Sequence, residues 1–245
     1  MITLTVLGKY GPYPAYNGAT SSYFVKTDSL AFTMDFGSGA FARLSKYIKP
    51  CDLDFMFLSH THDDHTCDLG VMTYYLARLG KRMRIYMPKP QTQFEMQRFA
   101  NYTMFDYVYI DEQTPIKIQD INLTFYQMRH PVLNYAIRIE QGKNVLSYTG
   151  DTNTTDNIQN LLKGATVGLM DGCFLERDWG YNKPHLSGAM ATKECAQAGA
   201  YCLITHLDAN YNLNELLQEC KSVNTKVEIV TEEKVYIIED GEKKD

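Results

Sequence analysis

Phe55-Met-Phe-Leu-Ser-His60-Thr-His62-Asp63-Asp64-His65-Thr-Cys-Asp68 is an apolar run that ends abruptly in three imidazoles and several carboxylates. Burying such a cluster without a cation is costly, because ionised carboxylates lose hydration and neutral imidazoles still need partners. A metal supplies the compensation: imidazole nitrogen and carboxylate oxygen suit zinc, manganese or iron. The spacing H-x-H-x-D-H lets the first two histidines turn to one ion, and the aspartate and last histidine to a second. The competing reading is a solvated polar loop that happens to hold three histidines.

Other chemistry-bearing residues follow strand-like runs. His130 comes after Leu123–Met128, Asp151 after Val145–Thr149 in the turn Gly150-Asp-Thr152, and His206 after Cys202–Thr205. Each is weak evidence alone, since a lone histidine is more often structural, but all could converge on one rim of a layered fold. Strand-like runs outnumber helical ones about two to one along the chain. Helical periodicity fits Ala40–Ile48, Leu69–Leu79, Gln91–Phe99, Thr155–Leu162, Ser187–Ala198 and Leu213–Lys221, with Ser187 and Asn212 as N-cap candidates. The expected class is α/β (α+β): two sheets covered by helices, a four-layer αββα sandwich.

The chain has 245 residues and a formal charge of −5, from 24 Lys+Arg against 29 Asp+Glu. No composition shift marks a linker, so one domain is expected over residues 1–238, with a charged, frayed tail at 239–245. The start, Met1-Ile-Thr-Leu-Thr-Val-Leu-Gly8, lacks a basic region and a long apolar core, and no run suits a membrane span. A cytoplasmic protein with six reduced, scattered cysteines is expected. The acidic balance gives no bulk attraction for nucleic acid. The basic group Arg78, Lys81, Arg82, Arg84 and Lys89 reads as a solvated helix end.

The whole pattern resembles the metallo-β-lactamase-fold hydrolase superfamily, nearest its ribonuclease Z-like and phosphodiesterase branch. Asp35-Phe-Gly-Ser-Gly39 is similar to that family's D-x-G-x-G turn, and His60 to His65 is similar to its H-x-H-x-D-H loop. The resemblance implies two divalent ions, zinc first and manganese or iron as alternatives. His60, His62 and His130 would hold one ion, Asp64, His65 and His206 the other, and Asp151 would bridge. It gives catalytic roles to Asp64 and to His185, which lies in Lys183-Pro-His-Leu-Ser-Gly188, a stretch resembling the one whose histidine protonates the leaving oxygen in those relatives; an N-capping or surface histidine is the plainer reading. It also implies attack by a metal-bridging hydroxide on a phosphodiester.

The metal loop alone does not choose the substrate. The segment between His65 and His130 reads as ordinary helices and strands, without the long arm that grips tRNA in ribonuclease Z. A small phosphodiester is therefore favoured over polymeric RNA, with a ribonuclease Z-like endonuclease or a lactonase or thioesterase as alternatives. Tyr181 or Tyr211 could serve a lactonase. Trp179, the only tryptophan, and Tyr181 are candidate substrate-binding residues, with core packing the alternative for Trp179. Asp63 either tunes the metals or, as favoured, faces solvent, and Cys67 is expected to pack as a small apolar residue rather than to ligate. A homodimer is expected, with Tyr74-Tyr-Leu76 as contact or core.

Overall fold

The computed structural model describes residues 1–239, so all of the expected tail except Glu239 lies outside the described residues. One sheet contains β1 (Ile2–Gly8), β2 (Ser22–Lys26), β3 (Ala31–Phe36), β4 (Phe55–Phe57), β5 (Met83–Met87) and β6 (Phe105–Tyr109). The other contains β7 (Ile116–Ile118), β8 (Ile121–Met128), β9 (Asn134–Gln141), β10 (Asn144–Tyr148), β11 (Val167–Asp171), β12 (Tyr201–Thr205) and β13 (Val227–Ile229). The last strand, β14 (Val235–Ile238), returns to the first sheet beside β1, giving the orders β14-β1-β2-β3-β4-β5-β6 and β13-β12-β11-β10-β9-β8-β7. In each sheet four antiparallel strands are extended by three parallel ones.

The helices are α1 (Ala40–Leu44), α2 (Asp63–Thr66), α3 (Leu69–Leu79), α4 (Gln93–Ala100), α5 (Asn157–Leu162), α6 (Gly188–Ala198) and α7 (Leu213–Val223). Between the sheets, Leu4, Phe32 and Phe57 face Leu123, Phe125 and Leu146 in one buried cluster. Phe57 and Phe125 stack across it at 5.9 Å. Leu69, Met72 and Leu76 of α3 recur at helical spacing, so one stripe of that helix is buried on the outer face of the first sheet. Leu161, Cys195 and Leu216 of α5, α6 and α7 do the same on the second. Each fully buried Leu or Phe contributes about 1.5–3 kcal/mol. The four layers expected from the sequence are the ones observed.

Local chemistry sets the boundaries. Ser187 caps α6 by accepting from the Met190 amide at 3.1 Å, and Asn212 caps α7 by accepting from the Asn214 amide at 3.0 Å. Thr92 and Glu95 form a capping box, so α4 begins later than its periodicity suggests. Two strands, β6 and β7, escaped the sequence reading: they are short edge elements with much of their surface exposed. Among the described residues no helix is long and apolar enough to cross a membrane. All six cysteines are unbridged.

The parallel strands bring chemistry to one rim. Carboxyl ends of β3, β4, β10, β11 and β12 lead into or carry Asp35, His60, Asp151, Asp171 and His206. Open sheets bind ligands at this end of their strands.

Candidate metal centre

Two groups of side chains meet at the rim. His60, His62, His130 and Asp151 form one, and Asp64, His65, Asp151 and His206 the other, with the ligand atoms of each mutually within 4.8 Å. Asp151 is common to both, through Oδ2 to His60 Nε2 at 3.5 Å and Oδ1 to His65 Nε2 at 3.1 Å. The turn that delivers it depends on Gly150, whose φ of +59° is left-handed and whose Cβ would lie 2.7 Å from Asn134 Oδ1. Asn134 Nδ2 in turn donates to the Asp151 carbonyl at 2.5 Å. Asp64 and His65 are presented by α2, a single turn inside the histidine segment that the sequence reading treated as loop.

Hydrogen bonding fixes which imidazole nitrogens are free. The Ser59 hydroxyl donates to Asp35 Oδ2 at 2.9 Å, so its oxygen accepts from His60 Nδ1–H at 2.9 Å. His65 Nδ1–H donates to Asp35 Oδ2 at 2.7 Å, and His130 Nδ1–H to the Pro184 carbonyl at 3.3 Å. Each of these three rings therefore turns Nε2 inward, and in the neutral imidazole that nitrogen carries no proton. His60 Nε2 and His130 Nε2 both abut His62 Nδ1, at 3.0 and 3.1 Å. One shared proton cannot satisfy three converging nitrogens, whereas a cation can.

Charge tells the same story. Burial holds the His60, His62 and His130 imidazoles below their ordinary value, His130 at about 4, so they stay neutral as metal ligands must. Burial opposes ionisation of Asp151, but His206, His65 and His60 outweigh it and keep the carboxylate well below its usual range. His65 is driven the other way: burial disfavours its charge, yet Asp151, Asp64 and Asp35 around it raise it well above normal. The second group thus demands a positive charge at its centre. Moreover, His65 Nε2 and Asp151 Oδ1, buried and 3.1 Å apart, are not aligned to hydrogen-bond each other or any other group. The donor set fits divalent ions.

Two carboxylates that the sequence reading did not place in the site support it from behind. Fully buried Asp35, at φ +56°, accepts from the Ser59 amide, the Tyr148 hydroxyl and His65. Fully buried Asp171 accepts from the Thr152 amide at 2.8 Å and from His185 Nδ1 at 2.8 Å. A buried strand ending in an aspartate next to a glycine, Asp171-Gly172 here and Gly150-Asp151 at the neighbouring turn, is the signal that would have found Asp171. His185 stands 3.9 Å from Asp151 Oδ2. Burial works against its charge, but Asp171 and then Asp151 prevail and lift it to about 9.

The remaining candidates divide. Asp63 is 81% exposed and ion-paired with Arg98, so it faces solvent as favoured. Cys67 is exposed and belongs to neither group, contrary to the expected apolar packing. Trp179 is half-buried, its indole N–H donating to Asn153 Oδ1 at 3.2 Å, and exposed Tyr181 lies under the Arg129 guanidinium; neither reaches the two groups. The Tyr211 hydroxyl is engaged with Asp178 at 3.0 Å. A cavity of about 750 Å³ opens by Val167, Tyr201 and Lys226 and shares no residue with either group.

Known proteins are similar to this chain in sequence and fold. A Bacillus subtilis protein named "Probable metallo-hydrolase YhfI" is 29% identical over 90% of this chain and 93% of its own. The YhfI crystal structure superimposes with a TM-score of 0.88 at 28% identity, covering 96% of this chain and 98% of that one. A diphosphatase of the PhnP family (TM-score 0.77, 14% identity, 98% of each chain) and the short form of human tRNase Z (0.76, 16%, 97% of this chain and 100% of that one) share the fold. The family described as the beta-lactamase superfamily domain matches residues 34–207. With that match spanning most of the chain, and with the two facing sheets described above, the protein belongs to the beta-lactamase superfamily and has the metallo-β-lactamase fold.

Proposed function

We propose that the chain is a dinuclear metal-dependent hydrolase acting on a small phosphodiester. His60, His62 and His130 would hold one ion, Asp64, His65 and His206 the other, and Asp151 both, with zinc the first choice for this donor set. Bound there, the ions supply Lewis acidity and a lowered pKa for water. Asp64 and Asp151 remain carboxylates, and the buried rim limits competing water.

The observation that carries the phosphodiester reading is the placement of His185. Its Nδ1–H is fixed on Asp171 at 2.8 Å, with Asp151 Oδ2 3.9 Å from the same nitrogen, which leaves Nε2 as the ring's other proton-bearing position. An alkoxide leaving group gains from such a donor, typically by about 10²–10⁴-fold. YhfI carries a metallo-hydrolase name, and the PhnP-family neighbour is a diphosphatase, which supports hydrolysis and phosphate chemistry.

Polymeric RNA is disfavoured. Within the basic group, Lys81 is paired with Asp52 at 3.3 Å and Arg82 with Asp106 at 2.6 Å, so these cations are not free for phosphates. A cytoplasmic homodimer belongs to the same reading; Tyr74, 79% exposed on α3, supports a contact there, whereas Leu76 is core.

Elemental analysis of the purified protein, beside turnover of bis(nitrophenyl) phosphate, cyclic nucleotides, a precursor tRNA, a lactone and a thioester, tests the proposal. Two ions per chain with diester turnover and intact tRNA are expected. Lactone or thioester turnover with inert diesters overturns it.

A further inference from the structure

A cleft of about 230 Å³ borders the metal centre, lined by Arg129, His130, Pro131, Asn182, Lys183 and Pro184. His130 belongs to both: its Nε2 faces His62, and its Nδ1 faces Pro184 of the cleft. Two cations line the cleft in a chain whose net charge is negative. Among the described residues, neither is paired with a carboxylate. Arg129 spends Nη2 on the Tyr181 carbonyl at 2.8 Å and stacks its guanidinium 3.7 Å from the centre of the Tyr181 ring. Its Nη1 is buried without any hydrogen-bond partner. Lys183 meets only the Asp178 carbonyl and the Phe174 ring.

A buried donor left without an acceptor is destabilising and uncommon. Here the guanidinium is covered on one side by the Tyr181 ring and keeps an unsatisfied donor, while Lys183 adds a second charge. A planar fork of this kind matches a phosphate through paired hydrogen bonds, and an ammonium adds a point charge. The Tyr181 ring covering it is 65% exposed, so little packing opposes its displacement by a ligand.

We propose that this cleft is a subsite for a second phosphate of the substrate, with Arg129 as its principal ligand and Lys183 assisting. The inference rests on the diesterase reading and narrows it to small diesters that carry a further phosphate monoester beyond the scissile linkage. Binding there also engages the segment that leads directly into His185, so occupancy would help place the proton donor.

The lone tryptophan provides a readout separate from turnover. Asn153 accepts from Trp179 Nε1, and its Nδ2 donates to the Gly180 carbonyl at 3.0 Å and the Lys183 carbonyl at 2.5 Å, which ties the indole to the cleft wall. Inorganic phosphate titrated into the metal-loaded protein at constant ionic strength should give a saturable change in tryptophan emission. Its affinity should fall about 10- to 100-fold in Arg129→Gln, by the loss of a charged hydrogen-bonding partner, and less in Lys183→Gln, whose exposed side chain leaves folding intact. In parallel, kcat/KM is compared for a dinucleotide with and without a 5′-phosphate. The wild type should prefer the phosphorylated one at least about tenfold, and that ratio should collapse in Arg129→Gln. Unchanged phosphate affinity in Arg129→Gln overturns the subsite, as does turnover of both dinucleotides with no preference. If the titration behaves as expected and no diester is turned over, the diesterase reading falls and the phosphate site stands.

Discussion

Asp35 and His65 are held 2.7 Å apart, carboxylate Oδ2 to imidazole Nδ1, with both side chains fully buried. That contact selects the tautomer that aims Nε2 at Asp151, and it sets the ring's orientation before any ion arrives. Asp35→Asn should therefore loosen the second group while leaving His60, His62 and His130 in place. Groups behind a metal ligand typically change its affinity by about 10- to 100-fold. Chelator competition should show one weakly held and one tightly held ion per chain; two ions held as in the wild type would contradict the role given to Asp35.

Removing the ions altogether should destabilise the fold. Without them, three imidazole nitrogens converge at 3.0–3.1 Å, and His65 Nε2 and Asp151 Oδ1 stay buried without an aligned hydrogen-bond partner. A ligand at a thousand times its Kd stabilises by about 4 kcal/mol, and in a chain of this size 1 kcal/mol moves Tm by about 2–4 °C. Prolonged chelation should lower Tm by about 10 °C, reversibly on adding zinc. Asp151→Ala, which touches both groups, should lose most metal and all turnover. A Tm indifferent to chelation would show that the cluster is stable without ions.

Replacement of His185 by Ala should discriminate between leaving groups. Nitrophenolate departs without a proton, so its diester should lose little, whereas an alkyl diester should lose about 10²–10⁴-fold in kcat. Asp171→Asn should reproduce part of this loss, because the carboxylate that accepts from His185 Nδ1 is replaced by an amide. Equal losses on both substrates would make His185 a structural residue.

These expectations rest on features of unequal legibility in the sequence. The histidine segment stood out by its density of ionisable groups at the end of an apolar run, whereas His130, Asp151 and His206 were weak singly and took their expected roles from the family resemblance. Helix α3 was legible to its last residue, since Leu69, Met72 and Leu76 recur at its pitch and Gly80, at φ +64°, ends it. Asp171 was not recognised, since the partners that tie it to the site, Thr152 and His185, stand 19 and 14 positions away in sequence and only the fold brings them to it. The cleft at Arg129 was equally invisible: its walls come from two segments distant in sequence, and its meaning lies in a carboxylate that is not there.

Gly11 offers the last test, because it is set by a contact with no counterpart in local sequence. A Cβ built on Gly11 would lie 2.0 Å from His206 Nε2, well inside any tolerated approach. The two segments are laced together, with Leu207 N–H donating to the Lys9 carbonyl at 2.8 Å and Gly11 N–H to the Leu207 carbonyl at 3.2 Å, so neither can retreat freely. His206 is itself at φ +55°, a conformation that a non-glycine residue adopts at a cost of about 1–3 kcal/mol and keeps only where its surroundings enforce it. Gly11→Ala should therefore displace the imidazole rather than the backbone. The expected result is loss of the ion held by Asp64, His65 and His206 and at least about a hundredfold fall in kcat, consistent with the effect of misplacing a catalytic group by an ångström. The core between the sheets is untouched, so the metal-free variant should melt within about 3 °C of the metal-free wild type, the shift expected for about 1 kcal/mol. Full metal loading in Gly11→Ala would mean that the N-terminal loop yields instead, and that His206 is not fixed by it.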